Sequence, residues 1–514
     1  MIPDSPTHPT VDRPGPSTEN ESPGVTDPLD SPGPFGTPGA EVPLGRSAPR
    51  VLLVVFAAAA LADLAVHTRA GGLAGCLMIL VLCAGLVRHG RVVRRGGRVL
   101  LCGAAALSSL LVVRVSPWMV LTNLAAIAAV MLLACSAERS GRFGDTRFST
   151  TARRVTSTGS AMAAAIAPLA RTVAAAAPSG PSSGGTARAL AKGVLIAAPV
   201  VAVIGISLAS ADAVFASVFD RDLRAEQWVG HLAVLVVAAW IGTGWFVQAT
   251  RPPVTHPPRS VALGAVEATT VMVALTVTYA VFAWTQFAVA RRGPEFVAAT
   301  TGLTYAEYAR SGFFQLLWVA GATALVLLVL RSTVVPTSGL AGRCMSASGT
   351  VAAALTLVVV HAAIRRLDLY EAAFGSTMLR FASSAVSWWL GAVFVVIGAW
   401  FAAGALGVRS TRDWLPTALA VTTLAAVVLL NMAGPESTVM RHNLDRAAEG
   451  AEFDLDYALR LSDDAVPTLV DGLDGLPAGQ AERLQSRLCA DHEGPERWTL
   501  PEMAAGRAVR ELCS

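Results

Sequence analysis

R-R-G-P-E-F-V-A-A-T-T-G-L-T-Y-A-E-Y-A-R-S-G-F-F-Q-L-L-W-V-A-G-A-T-A-L-V-L-L-V-L, from Arg291 to Leu330, sets the fold class. Its second half is an apolar run of the length that crosses a bilayer as a helix. Its first half crowds Tyr305, Glu307, Tyr308 and Arg310 into the turns just before that run, where ionisable groups are costly. Thr304 and Glu307 have the spacing of a capping box, and Leu303 and Tyr308 that of a hydrophobic staple. Together they predict a helix from Tyr305 to Leu330, roughly 39 Å long against a hydrocarbon core of about 30 Å. The first two turns then lie in the headgroup layer. A plainer reading covers the same residues: Glu307 as a cap, the tyrosines as interfacial anchors and Arg310 snorkelling.

The rest of the chain has the same character. Of its residues 53% are hydrophobic and 15% charged, against about 25% charged in soluble domains. About eleven apolar runs can span a bilayer: Val51 to Val66, Ala70 to Val87, Val99 to Val113, Trp118 to Cys135, Gly193 to Leu208, Trp228 to Ala249, Val261 to Val289, Phe313 to Leu330, Met345 to Ile364, Ser383 to Leu406 and Trp414 to Met432. No alternating strand pattern is present, and a backbone in lipid must satisfy its own hydrogen bonds. The fold class is therefore all-α: a polytopic transmembrane helix bundle with a small soluble C-terminal helical module. The net charge of +4 is small and the arginines lie between apolar runs, which excludes a nucleic-acid partner and leaves the lipid bilayer as the first one.

Residues 1–50 hold twelve prolines and no apolar signal-peptide core, so a disordered tail is expected. Residues 51–135 form a four-helix membrane group, 136–192 a flexible basic loop, 193–433 a seven-helix membrane domain, and 434–514 the soluble module. Arg88, Arg91, Arg94, Arg95 and Arg98 follow the second run, and the 136–192 loop is also arginine-rich, while the alternate loops are poor. This bias predicts a cell-membrane protein with a cytoplasmic N-terminus and, for an odd number of spans, an extracytoplasmic C-terminus. Within the module, Leu455 to Leu461 reads as an amphipathic piece, Ser462 or Asp463 as a cap, Ala478 to Cys489 as a helix, and Pro501 as a first helical position. Cys489 and Cys513 are the module's two cysteines, and outside the membrane such a pair suggests a disulfide; the other reading is two unrelated thiols.

Asp63, Glu267, His231 and His361 fall in spans, and Asp212 follows the fifth. Glu267 and His231 sit near helix ends, and a lone His361 reads as a packing residue. Histidines and cysteines show no C-x-x-C or H-x-x-x-H spacing, so no metal and no cofactor are expected. No Walker A loop, G-x-S-x-G elbow or dinucleotide fingerprint occurs, so no catalytic residue is assigned. A second polar stretch, R-R-L-D-L-Y-E-A-A-F-G-S-T-M-L-R-F at Arg365 to Phe381, echoes the first, with Gly375 as a helix stop and Ser376 as a new cap. By parity one bilayer face collects Asp212, Tyr305, Glu307, Tyr308, Arg310, Arg365, Arg366, Asp368, Tyr370, Glu371 and Arg380. These mixed charges suit mutual pairing or a polar ligand.

The patterns A-D-A-V-F at Ala211, G-L-T-Y-A-E-Y-A-R-S-G-F-F-Q-L at Gly302, L-D-L-Y-E-A-A-F-G-S-T-M-L-R at Leu367 and D-L-D-Y-A-L-R-L-S-D-D-A-V-P at Asp454 resemble the bacterial multi-pass family known as domain of unknown function 4173, and its relative 4153. The resemblance covers roughly Gly193 to Leu469. It departs from the family pattern at Phe374, where tyrosine is usual, and at Ser376, where leucine is. It implies a membrane location and no assigned activity. The expected role is transport-like or permease-like, with a small polar solute at an extracytoplasmic polar site. The alternative is a structural or signalling component whose C-terminal module binds an envelope protein. An enzyme with Glu307 or Glu371 as general base ranks last.

Overall fold

The computed structural model describes residues 48–68, 70–90, 95–136, 225–250, 263–302, 312–334, 339–408, 414–491 and 498–514, with isolated positions between 162 and 204. The expected disordered tail, save its last three residues, and nearly all of the 136–192 loop lie outside them. The described residues are overwhelmingly helical and include no strand, with one isolated bridge joining Leu263 to Val334, and ten helices are long and apolar enough to cross a membrane. The protein is an integral, multi-pass membrane protein of all-α architecture.

The first group comprises α1 (Ala48–His67), α2 (Gly71–His89), α3 (Arg95–Leu107), α4 (Leu110–Val113), α5 (Pro117–Ser136) and α6 (Ala225–Thr250). Here α3 and α4 are the expected third span, broken at Ser108 and Ser109, whose hydroxyls donate back to the carbonyls of Ala105 and Ala106 at 2.7 Å. One apolar core joins these helices around Val55, Leu86, Ile127, Met131 and Phe246. The packing boundary thus falls after α6, whereas the sequence placed that helix with the 193–433 group.

The second group is α7 (Ala265–Thr301), α8 (Phe313–Thr333), α9 (Leu340–Phe374), α10 (Met378–Ala405) and α11 (Leu415–Ala433). Leu327, Val360, Phe394, Ile397 and Phe401 form its core. Gly349 lets α10 approach α9: a Cβ there would lie 2.6 Å from the Phe401 ring. Small residues serve this purpose between membrane helices. The continuous helix expected from Tyr305 does not form. Gly312 adopts the left-handed conformation at φ 79°, so α8 begins only at Phe313. With 35 residues, α9 is roughly 52 Å long, well beyond a hydrocarbon core of about 30 Å. Its surplus carries Arg365 to Phe374 past the bundle end.

Up to α5, and again from α6 onward, successive helices alternate in direction. The end of α1 meets the start of α6 through Asp63 and His231. Gly90, after α2, lies against Ala249 at the end of α6. The start of α8 packs on the end of α9 through Phe313 and Leu367. Consequently α5 ends at one end of the bundle and α6 begins at the other, so the chain changes ends between Ser136 and Ala225. The expected fifth span, Gly193 to Leu208, falls in this interval, outside the described residues except at isolated positions. Ala48 and the C-terminal module sit at opposite ends of the bundle.

The module contains α12 (Pro435–Ala448), α13 (Leu455–Ala458), α14 (Val466–Asp471), a 3-10 turn at Leu473–Gly475, α15 (Ala478–Asp491) and α16 (Leu500–Cys513). It has its own apolar core of Met440, Phe453, Leu469, Leu484 and Leu488. Neither Ser462 nor Asp463 caps a helix; Ala465 precedes α14 and Ser462 is engaged elsewhere. Thr499 and Glu502 form a capping box at the start of α16, with Pro501 in the first turn. Cys489 and Cys513 are joined in a disulfide, Cα to Cα 5.9 Å, which ties α15 to α16.

Candidate functional site

Of the residues expected to gather at one face, Asp212, Tyr305, Glu307, Tyr308 and Arg310 lie outside the described residues. Arg365, Arg366, Asp368, Tyr370 and Glu371 occupy the final turns of α9, and Arg380 the first turn of α10. The Arg380 guanidinium sits 4.1 Å above the Tyr370 ring and donates to the carbonyls of Phe374 and Gly375. It therefore satisfies the last carbonyls of α9, as basic groups do at helix C-termini. Arg366 lies against Gly312, where a Cβ would stand 2.9 Å from its Nη1. Gly312, at the described end of the first stretch, thus meets Arg366 of the second at the module end of the bundle. Thr377, rather than Ser376, caps α10 by accepting from the Arg380 N–H.

The corner from Gly375 to Met378 is a docking point. Ser376 N–H donates to Asn443 Oδ1 and Asn443 Nδ2 donates back to Ser376 O, both at 2.9 Å. Met378 N–H donates to the Tyr457 hydroxyl at 2.7 Å. Burial pushes the Tyr457 phenol above its ordinary value, the Met378 hydrogen bond opposing that shift. Tyr457 and Asn443 belong to the module, so the module is hydrogen-bonded to the second helix group.

A second corner, Arg114 to Ser116, docks the module on the first group. Asp464 accepts from Val115 N–H and Ser116 N–H at 2.9 Å each and pairs with Arg114 Nη1 at 3.2 Å. Glu436 accepts from Ser116 Oγ at 2.7 Å and from Ser462 N–H at 2.7 Å. Asp464 is 6% exposed and Glu436 3%, so both carboxylates are buried and fully engaged. Such groups hold position; they are not free to bind solute. Neither Arg114, Glu436 nor Asp464 was singled out from the sequence, because the docking pairs Arg114–Asp464 and Ser116–Glu436 are separated by more than 300 residues along the chain.

Between the first corner and the module lies a cleft of about 130 Å³, lined by Gly375, Ser376, Thr377, Asn443, Arg446, Glu452, Asp454 and Tyr457. Gly375 has φ 78° and ψ 176°, a conformation essentially confined to glycine. A Cβ there would stand 2.6 Å from Arg446 Nη1. Arg446 makes no salt bridge among the described residues.

Elsewhere, Glu267 folds back over Gly264 in the first turn of α7, and His361 is exposed on α9. Asp63 and His231 prove to be partners, with His67 beside them. Asp63 and His67 form a D-x-x-x-H pair at helical spacing, a signal that a search for paired histidines passes over.

These features define a polytopic membrane protein with a helical cap docked on one end of its bundle. The chain belongs to the family called domain of unknown function 4153, whose model matches residues 101–472. The match begins well before Gly193, takes in both docking corners, and stops ahead of the disulfide-linked α15 and α16. No curated protein and no solved structure matches the chain.

Proposed function

We propose that this protein is permease-like and takes a small polar solute at the cleft between the α9–α10 corner and the module. The observation that carries this reading is Arg446, a cation in a cleft with no ion-pair partner among the described residues. A guanidinium so placed suits a carboxylate or phosphate group. Glu452 and Asp454 on the same lining favour a solute that also bears a positive charge. The disulfide argues that this end faces an oxidising compartment, outside the cytoplasm.

The test is thermal stabilisation of the detergent-purified protein by amino acids, other carboxylates and phosphates, followed by uptake of the stabilising solute into proteoliposomes. Stabilisation that Arg446→Ala abolishes, with uptake, supports the reading. Stabilisation without uptake favours the second reading, a signalling component. That reading draws on one observation: the module is hydrogen-bonded to both helix groups, so whatever engages it pulls on both. No stabilisation by any solute would overturn the cleft as a binding site.

A further inference from the structure

The geometry points to a transition-metal site at the junction of α1 and α6, in which Asp63, His67 and His231 hold one zinc-like divalent ion. Asp63 and His67 are four residues apart and so share a face of α1. His231 lies in the second turn of α6, brought there by the antiparallel packing of the two helices. Its Nδ1 stands 2.8 Å from Asp63 Oδ2, and His67 Nδ1 stands 3.0 Å from Asp63 Oδ1. The three ligand atoms all lie within 4.8 Å of one another.

A tetrahedral zinc ion with bonds of about 2.0–2.1 Å keeps its ligands roughly 3.3 Å apart. Each nitrogen-to-carboxylate spacing needs to open by only a few tenths of an ångström, while the two ring nitrogens, within 4.8 Å of each other, need to close by up to about 1.5 Å. Two imidazole nitrogens and one carboxylate oxygen suit zinc and its neighbours, whereas magnesium and calcium take oxygen ligands. The two rings lie 4.0 Å apart between centroids at 34°. Gly230 supplies the seat for His67, since a Cβ there would stand 3.2 Å from His67 Nε2. The side chains of Asp63, His67 and His231 are 17%, 26% and 39% exposed, which leaves an entry path and a fourth position for water.

Without the ion the trio is a hydrogen-bonded clasp, each Nδ1–H donating to the carboxylate. With it, both rings present the Nδ1 lone pair to the ion and hold a proton at Nε2. The experiment is a Co²⁺ titration of the full-length, chelator-treated protein in detergent. One ion per chain is expected, with the visible band of four-coordinate cobalt, displaced by Zn²⁺. His67→Gln and His231→Gln should each weaken binding by more than the roughly 10- to 100-fold that loss of an orienting partner costs. His361→Ala should leave it unchanged. Gly230→Ala crowds His67 without removing a ligand and should weaken binding even if the glutamine variants fail to fold. A wild-type protein with no cobalt band, or unchanged affinity in Gly230→Ala and in folded glutamine variants, would overturn the site and leave only the clasp.

Discussion

Asn123 and Asn431 face each other as a reciprocal amide pair, Asn431 Nδ2 donating to Asn123 Oδ1 at 2.7 Å and Asn123 Nδ2 returning to Asn431 Oδ1 at 3.1 Å. They join α5 to α11, and thus the first helix group to the second, from positions 1% and 3% exposed. The pairing works only while both residues carry an amide. Asn431→Ala leaves the Asn123 amide short of a partner, at a cost of about 1–3 kcal/mol. Leucine at both positions removes the polar groups together and should cost less. Thermal unfolding of the detergent-purified variants checks the order, and a double variant worse than Asn431→Ala would contradict it.

Asp464 carries the second docking corner, Arg114 to Ser116, because one carboxylate accepts two backbone N–H groups and the Arg114 guanidinium. Asp464→Ala strands all three donors in a buried site. Breaking a buried charged pair in this way costs about 3–5 kcal/mol. The expected outcome is early proteolytic cleavage around Ala433 and Gly434, where the module leaves the bundle. Adding Arg114→Ala should restore part of the protection, since the unpaired cation is then gone. Equal protection of single variant and wild type would show that the module is held elsewhere.

Tyr457 gives the first corner, Gly375 to Met378, an alkaline limit. Burial holds its phenol above the ordinary value of 10.0. The folded state therefore keeps the proton more tightly than the unfolded chain. The stability this contributes is complete below pH 10 and is lost as pH rises through the folded-state value. In Tyr457→Phe that alkaline loss should disappear, and the Met378 N–H, deprived of its acceptor, should lower stability at neutral pH. Module detachment followed against pH reads both effects.

Membrane class and most span positions were legible because hydropathy is a local, additive signal. The docking corners were not, since Arg114 with Asp464 and Ser116 with Glu436 are set by tertiary packing across most of the chain. Gly312 shows a different failure: a capping-box spacing suggested one helix from Tyr305, and a single left-handed glycine stops it. His67 was passed over because its partners are a carboxylate one turn back and a histidine on another helix. Parity placed the 302–316 and 365–381 stretches on one face; Phe313 packs on Leu367, while Tyr305 to Arg310 lie outside the described residues.

The disulfide and the alternation of the helices make one joint prediction about sidedness. Cys489 and Cys513 are on the module, at the end of the bundle opposite Ala48. Cys344 is exposed near the start of α9, at the other end. A cross-link spanning 24 residues contributes about 3 kcal/mol by restricting the unfolded chain. That contribution survives only where the surroundings are oxidising. In intact cells, a membrane-impermeant thiol reagent should therefore label the module pair only after reduction, and Cys344 not at all. In inside-out vesicles the pattern should reverse, with Cys344 labelled directly. Labelling of Cys344 in intact cells, with the module pair reached only after permeabilisation, would put the cleft and its Arg446 on the cytoplasmic side, and the solute would then have to be sought there.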